Sequence, residues 1–259
     1  MEKIVDRHQA DISISVVSHA QMDLVVQLLG DMEAHCQDLS FELILTLNLN
    51  EEWHYAPDSF SYPIKLICNP IPIGFAANHN QAFTHAAGDY FCVMNPDIRL
   101  YENPFNVLLA CLDDFSAGVV APLVVGRNGD VQNSARRFPV PLDILGKVFG
   151  RRQAPDYPIH DKPISPDWVG GMFMLFPRRM FEKLGGFDER YFLYYEDVDI
   201  CARLRLLGHE VVLCPQAKVT HYAQRSSHRS FKYLCWHLRS LARFFLSPVY
   251  WRVRSRPPP

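Results

Sequence analysis

Apolar residues arrive first in runs and then in helical steps. "DISISVVSH" (11–19) is a β-rich run, and Met22, Val25, Val26 and Leu29 follow at helical spacing within residues 21–33. "FELILTLNLN" (41–50) and "YPIKLICN" (62–69) read as two further strands. The turn "NPIPIG" opens "FAANHNQAFTHAAG", whose small side chains suit a helix held close to a sheet, with Gly88 as its stop. "DYFCVMNPD" (89–97) is a fourth strand that ends in polar residues. Strands alternating with helices predict an α/β fold, a mostly parallel central sheet with helices on both faces. Such sheets bind ligands beyond the carboxyl ends of their strands, so the candidate chemistry should lie there.

The second half reads differently. "VVAPLVVGRNGDVQNSARRFPVP" is a strand, an Asn-Gly turn and a returning segment, and residues 139–167 are rich in Pro and charge, as in a long loop or lid. Residues 167–187 give a strand with paired glycines at its start and a short helix ended by Gly185 and Gly186. A helix from Asp197 to Leu207 and a strand at "HEVVLCP" follow, then His221. No internal repeat and no composition break divides the chain into independent domains.

With 259 residues and 48% hydrophobic content the chain can bury a sizeable core. Its charged N-terminus lacks the apolar run of a signal peptide, and no stretch reaches the roughly 18 apolar residues of a spanning helix, so a soluble cytosolic protein is expected. The seven cysteines are scattered without a CxxC pair, which predicts reduced, mostly buried thiols. Net charge is only -2, yet after Glu210 there are nine bases and no acid. A basic tail on an acidic body points to an anionic partner.

Three carboxylates, Glu196, Asp197 and Asp199, cluster in "RYFLYYEDVDICARLRLLG" (190–208). Acids in the first turn of a helix are commonly favourable charges at its positive end. Asp97 shifts the balance toward chemistry, since a carboxylate at the end of a buried strand is costly unless it meets a metal or a charged partner. Together with the late His221, these residues have the makings of a divalent-ion site and a general base.

The segments "GFAANHNQAF", "MNPDIRL", "GGMFMLFPRRMFEKLGGFDERYFLYYEDVDICARLRLLGHEV" and "THY" resemble, in order and spacing, the family 2 inverting glycosyltransferases. "SARRFP", the "DW" before the glycines and "HRSFKYLCWHLRSLARFF" resemble the bacterial rhamnosyltransferases of O-antigen and other cell-surface polysaccharides. The resemblance implies a glycosyltransferase A-type fold and transfer of L-rhamnose from dTDP-β-L-rhamnose to a polyprenyl-diphosphate-linked saccharide. It implies that Asp97, in an "NPD" version of the DxD motif, coordinates Mg²⁺ or Mn²⁺ against the donor diphosphate. Asn95, at the first position of that motif, hydrogen-bonds rather than ligates, and His221 completes the metal shell. Asp197 is the implied base, Glu196 contacts the acceptor, and Asp199 with Arg203 forms a structural i, i+4 pair. Gly170 and Gly171 let backbone approach the sugar or acceptor, and Trp168 is a candidate to stack on a sugar, although aromatics beside strands are more often core.

At the nucleotide end the sequence departs from the resemblance. Many relatives end the second strand in an acid that reads the pyrimidine, whereas this strand ends "LTLNLNEE". Asn48 or Asn50 is the expected substitute, Val17, Ser18 and His19 should line the same pocket, and Asn78 and Asn80 approach the nucleotide. The resemblance divides the chain into a catalytic domain of residues 1–222, with a nucleotide-binding half (1–100) and an acceptor half (101–222), and a tail of residues 223–259. In the tail, Phe231, Leu234, Leu238, Leu241 and Phe245 form one stripe and Lys232, Trp236, Arg239 and Arg243 another. A basic amphipathic helix without acids suits an anionic membrane surface, which together with a lipid-linked acceptor places the enzyme on the inner face of the cell membrane. No motif for nucleic acid accompanies it. Other readings are a UDP- or GDP-sugar enzyme of the same family and an inert nucleotide-sugar-binding module, against which the presence of both Asp97 and Asp197 argues. A nicotinamide oxidoreductase fails for want of a G-x-G-x-x-G after the first strand.

Overall fold

The computed structural model describes residues 11–49, 51–56, 59–141, 155–222 and 231–255. The strands are β1 (Ile12–Ser18), β2 (Phe41–Leu47), β3 (Ile64–Cys68), β4 (Tyr90–Met94), β5 (Ile98–Arg99), β6 (Val119–Val125), β7 (Ala135–Arg136), β8 (Trp168–Val169), β9 (Phe173–Pro177) and β10 (Val211–His221). The helices are α1 (Met22–His35), α2 (Phe75–His85), α3 (Phe105–Phe115), α4 (Arg178–Lys183), α5 (Glu196–Leu206), α6 (Phe231–Leu246) and α7 (Pro248–Arg254). Eight strands form one sheet in the order β3-β2-β1-β4-β9-β6-β10-β5, and β7 and β8 form a small second sheet. β9 and β5 run antiparallel to their neighbours and the other strands of the large sheet are parallel, as the alternation of strands and helices predicts.

The sheet is buried on both faces because successive side chains of its central strands point to opposite cores. In β4, Cys92 and Met94 enter a cluster with Leu28, Leu29 and Leu108 of α1 and α3. Phe91 and Val93 enter the other, with Ala82, Phe181 and Leu204 of α2, α4 and α5. The buried face of α1 is Leu24, Val25, Leu28, Leu29 and Met32, so Val26, expected on it, sits at its edge. A third cluster joins Tyr191, Val198 and Ala202 to Phe244 and Tyr250, seating α6 and α7 against α5.

Several expectations need correction. The helix before β4 ends at His85, whose carbonyl takes Lys65 Nζ at 2.8 Å, rather than at Gly88. The last strand runs through Pro215 to His221, because a bulge between Cys214 and Lys218 lets the ladder with β6 resume beyond the proline. Cys111 of α3 and Cys214 of β10 are joined as a disulfide, and Cys68 and Cys235 are exposed, so only Cys36, Cys92 and Cys201 fit the expectation of buried thiols. Residues 142–154 of the expected lid and Asn50 lie outside the described residues. No described helix is long and apolar enough to cross a membrane.

Gly88 has a packing role instead of a capping one. Its N–H donates to Ser13 Oγ at 2.9 Å, and Ser13 Oγ donates to Glu42 Oε1 at 2.6 Å. A Cβ added at Gly88 would lie 2.7 Å from the Ser13 backbone nitrogen and 2.8 Å from the Ile12 carbonyl carbon, neither of which can move without disturbing β1. Gly88→Ala should therefore lower the free energy of unfolding by about 1–3 kcal/mol, measured by urea denaturation.

Candidate active site

The parallel strands β1, β4, β6 and β10 end at one rim of the sheet, and β9, running the other way, begins there. After Met94 the chain turns through Asn95, Pro96 and Asp97 and pairs β5 with the end of β10, Ile98 opposite His221. Arg99 fixes this turn to α1 through two bonds to Asp31, at 2.5 and 2.7 Å, while the Leu100 N–H donates to the same carboxylate at 3.0 Å. Asp97 is thereby held buried with Oδ2 3.1 Å from His221 Nε2, and His221 Nδ1 lies 2.8 Å from Gln132 Oε1. Asp97 Oδ1 is buried without a hydrogen-bond partner.

Asn95 donates its backbone N–H to the Met172 carbonyl at 2.9 Å, which ties this turn to the start of β9. One residue earlier, the Gly171 N–H donates to Asp197 Oδ2 at 3.0 Å, and the Val198 N–H donates to Oδ1 at 2.8 Å. A short backbone path therefore links Asp97 to Asp197 across the sheet rim. Tyr194 and Tyr195, with φ of 70° and 69°, precede α5. Two consecutive non-glycine residues in the left-handed region store strain, held here by packing on both sides.

The adjacent carboxylates differ. Glu196 is buried with Oε2 unpartnered, and burial, then the charge of Asp197, pushes its carboxyl well above the ordinary range. Burial raises Asp197 too, but the N–H groups of Gly171 and Val198 and the charge of Arg136 oppose the rise. Burial thus raises both members of this adjacent pair, and only Asp197 has hydrogen-bond donors on both oxygens to favour its charged form. Asp199 is bound to Arg203 at 2.7 Å, and Arg203 also donates to the carbonyls of Leu184 and Gly186, so this pair braces the turn after α4.

The asparagines expected near the nucleotide hydrogen-bond to the protein. Asn48 Nδ2 donates to Ile73 O at 2.9 Å and lies 3.3 Å from His19 Nδ1, while its Oδ1 accepts from Asn69 and from the Ile73 N–H. All four of its hydrogen-bonding positions are used. Asn78 donates to the carbonyls of Ile73 and Gly74 and accepts from Asn69, and Asn80 clamps the Phe187 backbone in both directions. A carboxylate does lie at the end of β1, that of Glu51, three residues beyond Asn48. Its Oε2 accepts from Ser18 Oγ at 2.5 Å at the end of β1, and its Oε1 is buried without a partner. Val17 is half-buried beside it and His19 is exposed. The "NEE" after the strand carried this signal, but the Ser18 contact, from a distant strand, did not appear in it.

Trp168 pairs with Arg136 across β7 and β8, donates Nε1–H to the Arg137 carbonyl at 2.9 Å and has the Arg136 guanidinium 5.5 Å from its ring. One side of the indole packs on the core, so Trp168 is in part the core aromatic that the sequence allows for.

The family model described as "Glycosyltransferase like family 2" matches residues 62–238. The chain belongs to glycosyltransferase family 2. Among characterised relatives of this glycosyltransferase, "Rhamnosyltransferase WbbL" of Escherichia coli (strain K12) is 27% identical over 255 residues, 90% of this chain and 92% of that protein. The "N-acetylglucosaminyl-diphospho-decaprenol L-rhamnosyltransferase" of Mycobacterium tuberculosis is 31% identical over 189 residues, 64% of this chain and 61% of that protein. Its fold resembles the mannosyltransferase PcManGT from Pyrobaculum calidifontis, solved with GDP-Man and Mn²⁺, at a TM-score of 0.64 and 15% identity over 98% of this chain and 67% of that one. GalNAc-T7, solved with UDP, GalNAc and Mn²⁺, gives a TM-score of 0.64 at 14% identity, over 84% of this chain and 45% of that one. The architecture is therefore the glycosyltransferase A-type.

The buried Glu196 generates a stability prediction of definite sign. Below its ordinary value of 4.5 the group is protonated in the folded and the unfolded chain, and it contributes nothing to pH dependence. As pH rises, the unfolded chain ionises while the fold resists, so stability falls until the raised folded value is passed. Glu196→Gln should raise the melting temperature at pH 8, by about 2–4 °C for each kcal/mol relieved, and leave it nearly unchanged at pH 4. Calorimetric melting at both pH values reads the difference.

Proposed function

We propose that this glycosyltransferase moves L-rhamnose from dTDP-β-L-rhamnose to a polyprenyl-diphosphate-linked saccharide, with inversion, at the inner face of a bacterial membrane. The rhamnosyltransferase names of its relatives support the donor, and the decaprenol-linked acceptor of the mycobacterial relative supports the lipid. The observation that carries the mechanism is the Asp197 carboxylate, oriented by two backbone N–H groups at the start of α5 and joined through Gly171 and Met172 to the turn that bears Asp97.

Asp197 accepts the proton of the acceptor hydroxyl as that oxygen attacks the anomeric carbon, and the nucleoside diphosphate departs from the opposite face. Glu196, where burial favours the neutral carboxyl, is the acceptor contact beside the base. Gly171, bound to the Asp197 carboxylate, and Gly170 before it allow a close backbone approach to the sugar, and the exposed edge of Trp168 is a stacking surface for acceptor or donor. At the nucleotide end Val17, Ser18 and His19 line the base pocket, with the unpartnered Glu51 Oε1 as acceptor for the imide N–H of a pyrimidine. Thymine and uracil share that N–H, so a UDP-sugar donor is the second reading.

The unpartnered, buried Asp97 Oδ1 beside His221 Nε2 fits a divalent cation. The remaining ligands of such an ion would be donor phosphates and water. Mg²⁺ or Mn²⁺ held by Asp97 and His221 would neutralise charge on the leaving diphosphate. Asn95, first in the turn that bears Asp97, ties that turn to Met172 through its backbone N–H.

Titration calorimetry with dTDP-rhamnose, UDP-glucose, UDP-galactose and GDP-mannose, each with Mn²⁺ and with EDTA, tests donor and metal together. Binding of the dTDP sugar that depends on metal, and is weakened at least tenfold by Asp97→Ala, is the expected result. Preference for a UDP or GDP sugar would overturn the donor, equal affinity with and without metal would remove Asp97 from the site, and binding of none would favour an inert module.

A further inference from the structure

The C-terminal helices carry charge and apolar surface that sugar transfer does not use. α6 grips the body through Trp236, Ser240 and Phe244: the Trp236 ring lies 4.7 Å from that of Phe192, Ser240 Oγ donates to the Leu193 carbonyl at 2.8 Å, and Phe244 is fully buried. At 100° per residue, the opposite side of the helix presents Phe231, Leu234 and Leu238, with Leu246 at its end. These are 80%, 52%, 52% and 82% exposed. Of the apolar row that periodicity picks out in the sequence, Phe231, Leu234 and Leu238 thus face away from the enzyme, while Leu241 is half-buried and Phe245 packs against Tyr250. Lys232, Arg239 and Arg243 run along one flank of that row, and Trp251 of α7 is also exposed.

On the basic flank, between α6, the start of α7 and Arg190, lies a cavity of about 390 Å³. Arg190, Arg239, Arg243, Ala242, Leu246 and Pro248 line it. Arg190 is already bound to Asp188 at 2.6 Å. No described acid pairs with Arg239 or Arg243, and the Arg243 Nε is buried with no hydrogen-bond partner. Guanidinium groups left in this state, with apolar side chains on one side of them, match a phosphate that is attached to hydrocarbon.

We propose that this cavity takes the phosphate of an anionic phospholipid while Phe231, Leu234, Leu238, Leu246 and Trp251 enter the bilayer interface. The proposal rests on the membrane-surface reading above and assigns it to one face. Charge selects the occupant: a chain without a single acid after Glu210 complements an anionic lipid surface, whereas a second copy docked on this face would bring like-charged columns together. Because the inner side of α6 holds Phe192 and Leu193, and Tyr195 packs 5.8 Å from Phe244, the membrane-facing helix also supports the loop that leads into Glu196 and Asp197. A lipid-linked acceptor would then arrive beside the base.

The test is flotation of the full chain with phosphatidylcholine vesicles lacking or containing phosphatidylglycerol, with dTDP-sugar titration on every variant as the check that the fold is kept. Wild type should float only with phosphatidylglycerol. Arg239→Gln with Arg243→Gln should weaken binding roughly 30-fold, and Leu234→Ser with Leu238→Ser should abolish flotation, donor affinity being unchanged in both. The exposed Arg239→Gln alone serves should the double variant not fold. Wild type that floats with neither vesicle type overturns the membrane reading itself. Binding that both variants retain leaves that reading standing and overturns the assignment to α6 and its cavity, as does equal binding to both vesicle types. A dimer split by the leucine substitutions, with vesicle binding intact, would give this face to a second copy instead.

Discussion

The site depends on one antiparallel strand set into a parallel sheet. β9 lies between β4 and β6 and begins at the rim toward which both of them run, with Phe173 opposite Met94. Only a strand running that way delivers Gly171 and Met172 to the rim. Met172 then receives the Asn95 N–H, and Gly171 donates to Asp197. A parallel strand in that place would bring its other end to the rim, and the turn of Asp97 and the start of α5 would share no contact. The arrangement separates two tasks, with one carboxylate next to a histidine on the side of β5 and β10 and another at the head of α5.

The surroundings of the two neighbouring acids then set them apart. Glu196 and Asp197 are adjacent in sequence and both pay for burial, but only Asp197 receives backbone N–H donors on both oxygens. Those donors aim the carboxylate and oppose the rise that burial causes. The strained backbone at Tyr194 and Tyr195, held against His237 and Phe244 of α6, sets the position from which the helix starts. The C-terminal helices are therefore part of the support of the site, whatever surface they also meet.

Much of this was legible in the chain. Runs and alternation gave the strands, because a sheet covered on both faces needs apolar residues at every position, and "MNPD" and "YEDVD" gave the two acidic turns because carboxylates at element ends stand out against such runs. Periodicity also located the stripe on α6, but its outward direction depends on Phe244 finding Tyr191 and Val198, and one helix cannot reveal that. Asn48, Asn78 and Asn80 look like ligand residues in sequence; their bonds to Ile73, Gly74 and Phe187 come from turns whose course is set by the tertiary fold. Glu51 was hidden for the converse reason, since it lies outside any regular element and gains its place only through Ser18. Likewise, the joining of Cys111 to Cys214 requires α3 to lie against β10, which no spacing of cysteines encodes.

The most direct test of the account is a single-turnover transfer assay with dTDP-rhamnose, Mn²⁺ and a lipid-linked saccharide, comparing wild type with Asp197→Asn while donor affinity is measured in parallel. The account predicts loss of transfer by at least about 10²-fold with donor affinity preserved, since the base acts on the acceptor. Transfer at the wild-type rate by a folded Asp197→Asn protein would contradict it.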